Sequence, residues 1–196
     1  SGYHLILLAK NHNGYRNLSK LVSIGHLEGF YYTPRIDFEI LEKYSEGIIA
    51  CSACLGGEIP QEILKNNTSS FSNLDNIEFN FDSTKKVIEK YSSIFGDDFY
   101  LELQDHGRIE QKLVNKALLQ LSEELNIKVI ATNDTHFIDK TDFEAHTVLI
   151  CLNTNRDMDD TEGLHYTGNE YLRTPDEMYA LFSDVPQVFD NIQEIV

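Results

Sequence analysis

The stretch FYLELQDHGRIEQKLVNKALLQLSEELNIKVIATNDTHF, residues 99–137, decides the fold class. Between Arg108 and Asn126, apolar side chains fall at Ile109, Leu113, Val114, Ala117, Leu118, Leu121 and Leu125, the three-and-four spacing of a helix with one buried face. Phe99–Leu103 before it and Val129-Ile130-Ala131 after it read as strands. A strand, a helix and a strand in succession form the unit from which parallel sheets are built, so an α/β fold is expected. Both strands run into polar residues, Gln104-Asp105-His106-Gly107 and Thr132-Asn133-Asp134-Thr135-His136. Packing explains the apolar halves and leaves the polar halves to be explained.

Outward from this unit the pattern continues. Tyr3–Ala9 reads as a strand followed by a helix marked by Tyr15, Leu18, Leu21 and Val22, and Gly47–Cys51 is a short apolar run bounded by turn residues. At least four strands are predicted. Thr141-Asp142-Phe143-Glu144 reads as a capping box opening a helix through Leu152, and Thr174-Pro175-Asp176-Glu177 as a second, with Pro at the first helical position. Residues 66–82, rich in Asn and Ser and without helical period, read as an exposed loop or tolerated insertion.

The 196 residues, 41% of them hydrophobic, suffice for a real core. Thirty-two acidic against 16 basic residues give a formal charge of -16, which repels nucleic-acid phosphates and favours cations or basic partners. Three cysteines without dense even spacing point to reduced thiols and a cytoplasmic setting. No apolar run reaches the roughly 20 residues of a membrane-spanning helix. The opening Ser1-Gly2, leading straight into a strand without an initiator Met, reads as the start of an excised piece of a longer chain.

In parallel α/β sheets, ligand-binding side chains gather past the carboxyl ends of strands. Here those ends deliver Cys54, in Ser52–Glu58, then Asp105 and His106, then Asp134 and His136. A thiolate, imidazoles and a carboxylate suit zinc or a comparable transition metal better than magnesium or calcium. Asp134 and His136, two apart, lie on one side of an extended segment. The plainer alternatives are an Asp capping the next turn, a half-buried His and a buried small thiol; Cys51, inside its apolar run, keeps that last reading. Asp105 is read as a cap of the Arg108 helix. His12, in an Asn-Gly turn, and His26, His146 and His165 are read as ordinary. Gly56-Gly57 lacks the spacing and Lys of a phosphate-binding loop, and no Ser-His-Asp order is discernible. Phe30, Tyr31, Tyr32 and Arg35 could stack on nucleic acid, but aromatic packing fits the net charge better.

HLILLAKNHNGYRNLSKLVS, GFYYTPRID, SACLGGEIP, FYLELQDHG, ATNDTHF and DFEAH together, and in this order, resemble the polymerase-and-histidinol-phosphatase (PHP) domain of bacterial DNA polymerase III alpha subunits. The resemblance implies a distorted (β/α)7-type barrel, incomplete here because its N-terminal strands precede residue 1. It implies residues 1–152 as the C-terminal part of that domain, with the insertion at 66–82, and 153–196 as an extension leading towards a palm domain. It matches His4, Cys54, Asp134 and His136 to metal-ligand positions of a polynuclear zinc or manganese centre, able in some members to support 3'-5' exonuclease or phosphoesterase chemistry. Asp105 and His106 belong to a family motif without a ligand role being carried over, and His4 rests on the resemblance alone, since it begins its strand. With a His-x-His strand and further ligands upstream, the fragment is expected to bind metal weakly and to be catalytically inert. The partners implied are DNA, through the parent protein, and other replicative subunits; a non-catalytic scaffold is the alternative.

Overall fold

The computed structural model describes residues 2–67, 77–159 and 166–196. Among them, four strands form one open sheet in the order β1 (Ile6–Ala9), β2 (Ile48–Cys51), β3 (Phe99–Leu103), β4 (Val129–Ala131). β2, β3 and β4 run parallel, as the strand-helix-strand reading expects. β1 does not: it pairs antiparallel with β2, Ile6 opposite Cys51 and Ala9 opposite Ile48.

The helices are α1 (His12–Leu27), α2 (Phe38–Lys43), α3 (Glu58–Asn66), α4 (Asp82–Phe95), α5 (Ile109–Leu125), α6 (Phe143–Thr154), α7 (Pro175–Leu181) and α8 (Gln187–Ile195). β2, β3 and β4 are buried throughout, which is why they read as continuous apolar runs rather than alternating ones. The helix of the decisive stretch, α5, buries Leu113, Val114, Ala117, Leu118 and Leu121 in the main core and ends on Asn126 in the left-handed conformation. Ile109 lies outside that face, 42% exposed at the first turn. In α1, Tyr15 and Val22 also face solvent; Leu21 is joined in the buried face by Gly14, Asn17 and Gly25, residues too small or too polar to mark it by hydrophobic period. His12 is not in a turn. It opens α1, whose cap is Asn11, accepting from Gly14 N at 2.9 Å.

The Thr174 capping box forms as read, with Pro175 at the first turn. The other is displaced: Asp139 and Asp142 make the reciprocal pair around a short 3-10 turn, Lys140–Asp142, and α6 starts at Phe143 without a side-chain cap. Two short acidic side chains outcompete Thr141 and Glu144 because the chain tightens before α6 begins. Of the stretch read as loop, residues 68–76 lie outside the described residues. Its flanks are anchored: Asn67 is buried, bonded to Ile63 O and to Asn80 N, while Ile77, Phe79 and Phe81 pack against the core. Residues beyond 166 also enter the core, through Phe182 and Val188, and α8 is held to β4 by Asn191 Nδ2 donating to Val129 O at 2.7 Å. Among the described residues, no helix is long and apolar enough to cross a membrane.

Candidate metal centre

The carboxyl ends of β2, β3 and β4 lie on one side of the sheet and carry the turns at 52–57, 104–107 and 132–137. The antiparallel β1 brings its beginning to that same side. His4, just ahead of β1, bridges to Gly57 and donates its backbone N–H to Gly56 O at 2.9 Å. Its ring nitrogen Nδ1 lies 3.5 Å from Cys54 Sγ. Gly56 makes room for this, since a Cβ there would stand 3.0 Å from the same nitrogen.

Asp134 shares the neighbourhood. Burial, followed by the charge of Asp134, pushes the Cys54 thiol pKa above its ordinary value, with the Gly56 backbone opposing. His136, an exposed residue, has Nδ1 2.6 Å from Asp134 O; because a carbonyl can only accept, Nδ1 is the donor there and Nε2 is the ring nitrogen left outside that bond. That is the arrangement by which a backbone carbonyl fixes a ligating imidazole. Asp134 and Ala53, neighbour of Cys54, both sit in the left-handed region, at φ 43 and φ 63, which non-glycine residues occupy at a cost.

Thus His4 and Cys54 touch, Asp134 is within electrostatic reach of Cys54, and His136 is oriented by Asp134. The donor types fit a borderline-soft divalent ion. Among the described residues, no group of three or more His, Cys, Asp and Glu side chains is close enough to hold an ion. Cys51 is a buried thiol pushed up to about 12 by burial and by Glu102.

Asp105 does not cap α5. Its carboxylate accepts from Gly107 N at 2.7 Å, closing a local turn, and α5 starts without a side-chain cap. His106 is buried, its Nε2 donating to Asn133 O at 2.7 Å and its Nδ1 3.0 Å from Gln111 Nε2 and 3.7 Å from Glu170 Oε1. Glu170, 2% exposed, accepts from the backbone N–H groups of Thr167, Gly168 and Asn169. Its own carbonyl accepts from His136 N at 2.7 Å, so the segment 166–172 straps the Asp134–His136 loop onto the motif at 105–107.

Two groups escaped the sequence reading. His146, on α6, meets Tyr166 edge-on and Phe137 at a tilt and lies 6.1 Å from the His136 ring, with its Nδ1 buried and without a hydrogen-bond partner among the described residues. Nothing in its helical spacing signals this, because its partners come from other segments. Glu102, inside an apolar strand, is a buried carboxylate at the centre of the strand ends; a charge in a run FYLEL was the available signal. His165 lies outside the described residues. Phe30, Tyr31 and Tyr32 are exposed; Tyr31 meets Tyr32 edge-on and carries the Arg35 guanidinium over its ring, while Phe30 stacks near His26.

The family model described as PHP domain matches residues 1–106. The chain belongs to the PHP domain family. The matched part of the PHP domain contains His4 and Cys54; Asp134 and His136 follow it. Over 194 residues, 98% of its length, the chain is 45% identical to DNA polymerase III subunit alpha of Borreliella burgdorferi and 41% identical to that of Helicobacter pylori. It is 41% identical to the DNA polymerase III subunit alpha of Thermus aquaticus over 197 residues. The chain spans 16%, 16% and 15% of these relatives' own lengths.

Proposed function

We propose that this chain is part of the PHP domain of a DNA polymerase III alpha subunit and contributes His4, Cys54, Asp134 and His136 to a zinc or manganese centre. The observation that carries the metal reading is the His4–Cys54 contact, reached from distant positions and flanked by Asp134. In this reading the open sheet belongs to a (β/α)7-type barrel, residues 1–152 forming its C-terminal part, with an insertion at 66–82, and 153–196 leading towards the palm domain. Further donors come from the rest of the subunit, so the fragment alone is expected to bind metal weakly. A bound ion supplies Lewis acidity and a hydroxide for 3'-5' exonuclease or phosphoesterase chemistry. The chain's own side chains would hold the ion: His136 through Nε2, its Nδ1 being bonded to Asp134 O, and Cys54 as the thiolate, its proton released to solvent on binding. DNA and the other replicative subunits are partners of the whole protein, which works in the cytoplasm.

The second reading is a non-catalytic scaffold that stabilises the polymerase or docks a proofreading subunit. Primer degradation by the full-length subunit with manganese or zinc separates the two. Loss of degradation in Asp134→Ala, with polymerisation intact, is expected; metal-independent or unchanged degradation leaves the scaffold.

A further inference from the structure

We propose that Glu102 is the positioning residue of this centre, a buried carboxylate that sets the spacing between the Cys54 turn and the Asp134 loop. The inference rests on the metal-binding reading and deepens it. β3 stands between β2 and β4, so its end is the place from which one side chain reaches both flanking turns. Glu102, 5% exposed, uses each oxygen once: Oε1 accepts from Ala53 N at 2.9 Å and Oε2 from Thr132 Oγ1 at 2.7 Å. Its backbone N–H adds a third tie, donating to Ser52 Oγ at 2.8 Å.

Each tie lands beside a candidate ligand. Ala53 precedes Cys54, and Thr132 stands two residues before Asp134. Ala53 and Asp134 are also the left-handed residues of the two turns, and such conformations persist where the surroundings hold them. The Glu102 carboxylate holds the first of these by accepting from the Ala53 N–H.

A carboxylate is required because both its oxygens accept. Thr132 Oγ1 donates to Glu102 while accepting from Gln104 Nε2 at 3.0 Å. An amide at position 102 turns one acceptor into a donor, so that either the Ala53 N–H or the Thr132 hydroxyl proton loses its partner. Because its oxygens hold the Ala53 N–H and the Thr132 hydroxyl, Glu102 acts on an ion through the placing of Cys54 and Asp134.

The test uses the full-length subunit with two readouts, hydrogen exchange of the segments 52–57 and 132–136, and cobalt(II) titration followed by thiolate-to-cobalt absorption. In Glu102→Gln, exchange is expected to rise in those two segments and not across the protein, while cobalt affinity falls about 10- to 100-fold, the range for groups that orient ligands. Glu102→Asp keeps the charge but is one methylene short, and should recover part of both. Unchanged exchange and unchanged cobalt affinity in Glu102→Gln would overturn the proposal, as would a rise in exchange spread over the whole fold. If the unsubstituted protein shows no cobalt absorption sensitive to Cys54→Ser, the metal-binding reading itself falls; local exchange changes then mark Glu102 as part of the fold alone, and the positioning role falls too.

Discussion

Cys54 Sγ and His4 Nδ1 lie 3.5 Å apart although fifty positions separate them. The contact exists because β1 runs against β2: a parallel β1 would carry His4 to the opposite end of the sheet. The one candidate whose place at the start of a strand counted against it is therefore at the same mouth as those at strand ends.

The Cys54 thiol should be slow to react in the metal-free protein. Burial, then the Asp134 carboxylate, raises its pKa, so at neutral pH it keeps its proton, and the thiolate is the reactive form. Asp134→Asn removes the charge and should speed alkylation of Cys54 by iodoacetamide, read by peptide mass spectrometry. Equal rates in the two proteins would place Asp134 too far away to share an ion.

Gly14→Ala should destabilise the fold although alanine is the better helix former. A Cβ at Gly14 would lie 1.8 Å from Gly47 O, and backbone cannot swing aside as a flexible side chain can. Overpacking of this kind costs about 1–3 kcal/mol. The urea midpoint should fall; an unchanged midpoint would mean that α1 is not seated against the turn before β2.

The elements that were legible share one property: their signal is local. The α5 period, the apolar runs of β2, β3 and β4 and the Thr174 box are set by neighbours within a few residues. The turn clusters carrying Cys54, Asp134 and His136 were legible because strand ends announce them. What was not legible depends on distant partners. The antiparallel direction of β1 is fixed by pairing with β2, and His146 comes beside His136 only when Tyr166 and Phe137 close on it; the Asp105 turn is local, closed by Gly107 two residues on, and was missed because an Asp ahead of a helix also reads as its cap. Asp139 and Asp142 form the box in place of Thr141 and Glu144 because the 3-10 turn Lys140–Asp142 puts the cap position at Asp139.

The strap at 166–172 should give the protein an acid limb. Burial opposes the Glu170 carboxylate, but hydrogen bonds from the backbone N–H and hydroxyl of Thr167 outweigh it, and the pKa lies below the ordinary value. A lowered folded pKa means that the contribution is full above the unfolded value, about 4.3, and is lost as pH falls through the folded value. Glu170→Gln should flatten that part of the stability-against-pH curve and cost about 1–3 kcal/mol at neutral pH, because N–H groups lose an acceptor. Glu102 slopes the other way, its pKa being raised by burial and then by Asp134, so the comparison is made with Glu102 unchanged. A curve of the same shape in Glu170→Gln, measured by urea denaturation from pH 7 downward, would remove Glu170 from the account.

Duplex DNA should not be retained by this chain alone at physiological salt. With a charge of -16 there is little to release counterions from phosphates. The assay is a gel shift across salt concentrations, and tight, salt-sensitive binding would contradict the expectation.

The two halves of IKVIATNDTHF, residues 127–137, should respond differently to substitution. Ile130 is 4% exposed and packs with Ile49, Cys51 and Tyr100 beneath Ile192 and Ile195 of α8, so Ile130→Ala removes methylenes from a closed cluster. The cost should be about 2–5 kcal/mol. His136 is exposed; its tie to the fold is an Nδ1–H bond to Asp134 O and a ring contact with Tyr166, and His136→Ala should leave the melting temperature nearly unchanged. Yet in the full-length subunit that variant should lose any metal-dependent primer degradation, because it removes a proposed ligand, while polymerisation should persist. Paired thermal melts and primer-degradation assays with manganese or zinc make the comparison. Undiminished degradation by the His136 variant, with metal demonstrably bound, would assign the polar half of the stretch to structure and give the scaffold reading its place.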